Sequence, residues 1–464
     1  MFSPLSFPRT VAPLCFCALL LAPAVAQALF TVEQLTNDAT GAACGSYLAD
    51  ASSTGDDVAF ESDCDLDAKN LDGSFEVYRV HRGQAPKQLS DGAGCTSSSA
   101  TINGDGSRIA FESDCNLTGG NADGNVEIFL WKGSVLTQLT SSSACENLAP
   151  SIDSAGNVIA FDSNCIYAGQ FNDDGSTEIF KVTGTGALTQ LTRDDTGICD
   201  SINASINGAG TLVAFESDCD LKGTNDDFAV EIFTVTAAGE VTQATISLDD
   251  SCSSMSASID AAGSLIAFQS DCDFTGANAD RSQEAFLVDV SGTVTQLSSD
   301  PGPSPCSSSR PRLAGSGALV SFSSYCDLAG INADASLEIF QAATTGQAPA
   351  QLTTGTSCDS LVGDSSTSGR DIAFDSDCDP LATNTDGGTE IFRLNACACG
   401  SPSSRRTPPT ASDALFVLRA AVGQRVCPLC ECDTDSSGAI VASDALRVLQ
   451  AAVGLQVSLT CPPA

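Results

Sequence analysis

Fourteen cysteines of this chain fall into seven pairs with a single spacing. Cys44 and Cys64, Cys95 and Cys115, Cys145 and Cys165, Cys199 and Cys219, Cys252 and Cys272, Cys306 and Cys326, Cys358 and Cys378 each stand 20 positions apart, and the pairs recur every 50 to 54 residues. A fixed period in this range marks a repeat array. Midway between the two cysteines of a pair lies a turn sequence, such as Gly104-Asp105-Gly106, Ala155-Gly156 or Ser368-Gly369. A hairpin folded there brings both cysteines opposite each other at its open end. Directly opposed strand positions lie about 4.5–5.5 Å apart, inside the roughly 7 Å that a disulfide tolerates between Cα atoms. One disulfide per repeat is expected without any long-range assumption.

Aligned on its hairpin, one repeat runs from Ala100 through Asn103-Gly-Asp-Gly-Ser-Arg-Ile-Ala-Phe111 to Cys115, then Val126-Glu-Ile-Phe-Leu-Trp131, then Leu136-Thr-Gln-Leu-Thr140. Alternation and the aromatic and β-branched content mark short strands. Four antiparallel strands in about 50 residues make one propeller blade, so the expected fold is an all-β, seven-bladed β-propeller. Six repeats end on Gln-Leu-Thr or a variant: Gln88, Gln138, Gln190, Gln243, Gln296 and Gln351 open these segments. The last repeat, Cys358 to Leu394, has none, yet Val32-Glu-Gln-Leu-Thr36 stands ahead of the first. That segment is expected to be the outer strand of blade seven, closing the ring and leaving no open sheet edge.

The pattern Ser/Asn-x-Asp-Gly-x-x-Ile-Ala-Phe followed by Glu-Ile-Phe resembles the TolB-like (WD-like) propeller repeat over roughly residues 30–396. The resemblance implies the fold. The α/β domain that precedes the propeller in TolB has no counterpart here, so its cellular role does not carry over.

Residues 1–28 read as a secretory signal: Arg9 is followed by an apolar run from Val11 to Val25 and by small residues around Ala26 and Ala28. Removing it takes away Cys15 and Cys17 and leaves an even cysteine number, which in an exported chain means disulfides. No later stretch is long and apolar enough to span a membrane. The net charge of −38 repels nucleic acid and suits divalent cations or cationic partners, besides solubility. The expected location is secreted or cell surface, or the periplasm, as a monomer.

Residues 29–396 form the propeller and 397–464 a second unit with its linker. In that unit Ala411-Ser-Asp-Ala-Leu-Phe-Val-Leu-Arg-Ala-Ala-Val-Gly423 is nearly duplicated from Ala442 to Gly454. Ser is read as the N-cap and Gly as the stop of each helix. Leu415, Leu418 and Val422, and equally Leu446, Leu449 and Val453, recur at helical spacing, and the two helices are expected to pack along these stripes. Before the second copy stands Asp433-Thr-Asp435-Ser-Ser437-Gly438-Ala439-Ile440, with Asp444 at position 12. Calcium takes six to eight oxygens, and a 12-residue loop supplies them from positions 1, 3, 5, 7 and 12 around a Gly at position 6. Asp433, Asp435, Ser437, the Ala439 carbonyl and Asp444 are therefore the expected Ca2+ ligands, with Ile440 anchoring the loop on the core. Loop-then-helix with Asp at position 12 resembles a type I dockerin repeat, departing from it at Ser437. The resemblance implies a cohesin-like surface partner and association with polysaccharide-degrading assemblies. In the first copy the equivalent positions hold Pro402, Ser404, Arg406 and Thr407, and no calcium is expected there. Cys427-x-x-Cys430 has zinc spacing, but with Cys397, Cys399, Cys432 and Cys461 it reads as three disulfides of open connectivity.

Each blade also carries an acidic loop such as Asp63-Cys-Asp65…Asn70-Leu-Asp72…Glu76. Such loops offer a ring of cation sites, or they are turn chemistry, since Asn and Asp cap their own backbone; the recurring Asn-x-Asp-Gly needs no ligand to explain it. His81, the one histidine, reads as a solvated residue of a basic turn, which leaves no histidine-dependent triad. Ser151-Ile-Asp-Ser-Ala-Gly156 resembles a sialidase Asp-box without its closing Thr-Trp. The blades read as close to uniform, which favours an exported binding or scaffold protein with a protein or glycan ligand at the propeller face. A carbohydrate-active hydrolase or lyase using that face is the alternative.

Overall fold

The computed structural model describes residues 30–38, 44–194, 197–247, 252–299, 306–402, 408–425, 427 and 429–461; the signal reading lies outside them. Seven four-stranded antiparallel sheets follow one another along the chain. In the second blade the strands are, from the centre outwards, Ser97–Ile102, Arg108–Ser113, Glu127–Lys132 and Val135–Gln138.

The two repeated aromatic motifs meet inside each blade. Phe111 of Ile-Ala-Phe lies opposite Phe129 of Glu-Ile-Phe, and the fully buried rings stack at 5.7 Å. The same pair recurs in every blade, from Phe60 with Tyr78 to Phe374 with Phe392, at 5.5–5.9 Å. Such a pair adds about 0.5–1.5 kcal/mol beyond its buried area. Ala110, Ile128 and Leu130 of blade two then pack on Ile152, Ile159 and Phe161 of blade three, so the core runs between blades.

The Gln-Leu-Thr signature locks the outer strand. Its hydroxyl donates to the buried Glu that opens the third strand and accepts the next backbone N–H. Thr192 joins Glu178 and Ile179 in this way, and Thr245 joins Glu231 and Ile232. In blade seven the outer strand is Phe30–Gln34, paired with Glu390–Ala396 in the register Phe30 to Ala396 and Gln34 to Phe392. Around that seam Arg393, almost fully buried, donates to Glu33 and to the Gly55 carbonyl, and Arg82 reaches Asp56, Asp371 and Asn395.

All seven expected disulfides are present, with Cα separations of 5.1–5.3 Å. At the other end of each inner hairpin, backbone hydrogen bonds pass from turn to turn around the axis, Ser53 to Gly104 and Gly104 to Ser154, with Thr367 to Ser53 joining blades seven and one. A side chain at Gly104 would sit 2.7 Å from the Ser53 hydroxyl and 3.0 Å from the Ser154 carbonyl, which explains the glycine of Asn-Gly-Asp-Gly.

The C-terminal unit holds helices α1 (Ala411–Ala421), α2 (Leu429–Cys432) and α3 (Ala442–Ala452). Its cysteines pair as Cys397–Cys430, Cys399–Cys461 and Cys427–Cys432. Two sequence expectations are corrected here. The helices meet through Ala414 and Val417 against Ala445 and Val448. Val417 and Val448 are 0% exposed, whereas Leu415 is 49% and Leu446 55% exposed. The leucine stripes, with Val422 and Val453, face outward because small side chains let the short helices approach and the half-cystines fill the remaining core. The N-caps are Thr410 and Val441, not the serines, because Asp413 and Asp444 at the third helical position accept the cap N–H groups. Gly423 and Gly454 end the helices with φ of 73° and 82°, as their left-handed C′ role requires. No helix among the described residues is long and apolar enough to cross a membrane.

Candidate functional site

The innermost strands surround a central channel of about 500 Å³. One residue in the middle of that strand is bulged into the left-handed region in six blades: Leu48, Ser99, Ala149, Asn203, Ser256 and Arg310, with φ between 49° and 57°. An inserted residue of this kind breaks the ladder and re-aims its neighbours. Its N–H is taken up by the preceding blade, at the residue that follows the stacked Phe. Ser99 donates to Glu61 at 2.9 Å, Ala149 to Glu112 at 2.6 Å, Asn203 to Asp162 at 3.3 Å, Ser256 to Glu216 at 2.6 Å and Arg310 to Gln269 at 2.9 Å. Leu48 offers its N–H to Asp375, and in blade seven Val362 donates to Ser323 at 2.8 Å. The acidic residue of Phe-Glu-Ser therefore ties blade to blade just behind the innermost strands, and Glu216 among them reaches the channel wall.

Burial governs the charge of this ring. It pushes Glu61 up to about 7 and Asp162 up to about 8, with Glu112 adding repulsion to both. It pushes Asp375 up to about 6 against the pull of Arg310, and raises Glu216 as well. A second tier lies two residues further along the strand. There Asp50 accepts the Ile102 N–H at 2.7 Å, and Ser151, Ser205 and Ser258 accept from Ile206, Ile259 and Leu313. Asp50 and Asp364 hydrogen-bond to each other; burial first, then the neighbouring carboxylate, holds Asp364 well above the usual range. Arg312 lies beside them and donates from Nε to the Gly363 carbonyl at 3.0 Å. Gly363 is required there, since a Cβ would stand 2.1 Å from the Ala49 carbonyl oxygen.

The blades are thus not uniform, contrary to the expectation from sequence. Blade six carries Ser309-Arg310-Pro311-Arg312 where blade two carries Ser98-Ser99-Ala100-Thr101, and Asp50, Arg312 and Asp364 stand where the other four blades hold Ser or Thr. The signal was visible in the repeat alignment, but the bulge upsets the alternation that tells which residues face the axis.

In the C-terminal unit Asp433, Asp435, Ser437 and the Ala439 carbonyl come together. Asp433 accepts the N–H groups of Ser437 at 3.0 Å and Gly438 at 2.6 Å, and the Ser437 hydroxyl lies 3.2 Å from both Asp433 Oδ1 and the Ala439 carbonyl. Burial raises Asp433, but these backbone donors outweigh it and hold the carboxyl below its usual range. Asp444 accepts from Thr434 at 2.8 Å and from Val441 at 2.9 Å, so it ties both ends of the loop to α3. Ile440 packs on the small core. Ser404, Arg406 and Thr407 of the first copy lie outside the described residues.

The acidic rim loops are internally engaged. Asn70, buried, donates to the Ser74 carbonyl at 2.8 Å while its own N–H goes to Asp65 at 3.1 Å. Asn225 and Asn384 repeat the arrangement with Asp220 and Asp379. His81 ends a strand, Glu76–His81, rather than lying in a turn, and its Nδ1 sits 3.0 Å from Asp57, which also pairs with Arg79.

No family model matches the sequence, and no curated protein matches it. Among solved structures, the chain is similar to oligogalacturonate lyase of Vibrio parahaemolyticus, at 14% identity and a TM-score of 0.52 over 79% of this chain and 97% of that one. An oligogalacturonate lyase in complex with manganese matches at 12% identity and a TM-score of 0.50, over 79% of this chain and 96% of that one. TolB of Acinetobacter baumannii matches at 15% identity and a TM-score of 0.37, over 69% of this chain and 59% of that one. At these identities the likeness to the two lyase structures speaks for the propeller fold alone.

Proposed function

We propose that this chain is an exported, non-catalytic binding protein whose ligand sits in the propeller channel and whose C-terminal unit attaches it to a surface or an assembly. The observation that carries this reading is the channel, a cavity of about 500 Å³ with rigid, hydroxyl-rich walls. Its wall carries Asp50 and Glu216, anchored by backbone N–H groups of the next blade, and Asp364. Pockets of this volume with a few convergent polar groups are the usual seat of a small ligand. Ten disulfides support an oxidising compartment.

The C-terminal unit is read as a dockerin-like calcium module. Asp433, Asp435, Ser437, the Ala439 carbonyl and Asp444 would hold the ion, with three carboxylates to offset its charge. The Asp433 hydrogen bonds to positions 5 and 6 of the loop fit that use. The outward stripes Leu415, Leu418 and Val422, and Leu446, Leu449 and Val453, support contact with a cohesin-like partner.

A glycan array tests the channel reading. Wild-type protein should bind selected oligosaccharides, and Thr101→Trp, which fills the channel from blade two, should lose them. Binding undiminished in that variant would overturn the reading. The second reading is a carbohydrate-active hydrolase or lyase. The hydrogen-bonded Asp50–Asp364 pair beside Arg312 favours it, because a carboxyl that burial and a neighbouring carboxylate hold above the usual range is a potential acid.

A further inference from the structure

We infer that Arg310 makes the channel a receptor for a small hydroxyl-bearing carboxylate, with the ligand carboxylate on the Arg310 guanidinium and its hydroxyls on the seryl and threonyl wall. This rests on the channel being the ligand site and names what it takes. Three observations carry it.

Arg310 is a single departure from a repeated pattern. The bulged position holds Leu48, Ser99, Ala149, Asn203 and Ser256 in the other blades with the same backbone, so the fold does not call for an arginine there. Only the backbone N–H of that residue is used, by Gln269.

Among the described residues the Arg310 guanidinium makes no hydrogen bond or ion pair, although it lies half-buried at the wall of the channel. Arg79, Arg82 and Arg393 all have carboxylate partners within 4.0 Å. A planar fork with five donors and no acceptor is matched by a carboxylate, which it can hold through two parallel hydrogen bonds. The remaining wall, with Ser99, Thr101, Ser151, Ser205, Ser256 and Ser258, suits hydroxyls.

Charge decides when such an anion enters. Arg310 is faced by Glu61 and Asp375 and by Arg312, and it shares the channel wall with Glu216 and, in the second tier, with Asp50 and Asp364. Burial brings Glu61, Asp162 and Asp375 up to about 7, 8 and 6. Below these values Glu61, Asp162 and Asp375 are protonated; above them their charge opposes an anion. Affinity therefore falls as the pH rises.

The test is a calorimetric titration of the full mature chain, at acid and at alkaline pH, with D-glucuronate and with D-glucose. Glucuronate should bind and glucose only far more weakly, and glucuronate affinity should be lower at the alkaline pH. Arg310→Ala should weaken glucuronate about 10- to 100-fold, the range for a hydrogen bond to a charged group, and Arg310→Lys should recover part of it. Arg310→Ala keeps the fold, because Ala149 already occupies that position in blade three at the same φ of 49°. Equal binding of the two sugars, no glucuronate binding, or undiminished affinity in Arg310→Ala overturns the inference. If Thr101→Trp abolishes array binding to neutral glycans alone, the channel remains the site and only the anion preference falls. If glucuronate binding survives Thr101→Trp, the channel reading falls with it.

Discussion

The hydroxyl of Thr36 donates to the carboxylate of Glu390, 354 positions further along the chain, and accepts the Ile391 N–H at 2.8 Å. Blades one, four and five make the same lock locally, between Ser90 and Glu76, Thr245 and Glu231, and Ser298 and Glu284. Closure of the ring is thus an ordinary blade lock whose two halves lie at opposite ends of the propeller sequence.

Thr36→Val removes that hydroxyl and leaves a buried carboxyl short of a donor. It should cost about 1–3 kcal/mol in urea denaturation. Deleting residues 30–36 exposes the edge of blade seven and should lower the melting temperature further, with aggregation. Unchanged melting in both variants would show that the seam carries no stability.

Removing one blade disulfide by Cys95→Ser with Cys115→Ser should cost about 3 kcal/mol in the chain-entropy model for a loop of about 20 residues. Non-reducing peptide mapping of the wild type should link Cys95 to Cys115. A Cys95 peptide joined to any other cysteine contradicts the one-bridge-per-blade arrangement.

The channel ring predicts an acid-favoured fold. Glu61, Asp162 and Asp375 hold their protons more tightly folded than unfolded. Their contribution is full below about pH 4, the unfolded value, and is lost as the pH rises through 6 to 8. Melting should fall between about pH 5 and about pH 8.5. Glu61→Gln should flatten that slope, since Gln269 already fills the equivalent place in blade five and accepts the Arg310 N–H. A slope identical to the wild type would remove Glu61 from the account.

These features differ in how far they can be read without coordinates. Pairing of the cysteines and closure by Val32 to Thr36 were legible because each rests on a repeated motif with a copy missing or displaced. The calcium-loop spacing was equally plain. Val417 and Val448 were not, because in helices of 11 residues a leucine stripe and an alanine–valine stripe are both continuous, and the choice between them depends on how closely the backbones approach. Arg310 and Arg312 were missed because the left-handed bulge at Arg310 shifts the two-residue alternation, and a one-residue slip moves side chains to the other face.

Calorimetry with calcium on the full mature chain should give one site. Asp433→Ala with Asp444→Ala should abolish it, and Asp435→Asn, which leaves the Asp444 ties to α3 intact, should weaken it. Equal heat in the double variant would place the ion elsewhere, and a stoichiometry of two would show that the first copy also binds.

The central claim is that the channel binds its ligand and leaves it unchanged. Mass spectrometry of an oligosaccharide bound on the array, after prolonged incubation with a stoichiometric amount of the protein, tests this most directly. The ligand should be recovered intact, with its original mass and no new reducing end. Shortened or unsaturated products that disappear in Asp50→Asn or Asp364→Asn would contradict the claim and make this propeller an enzyme.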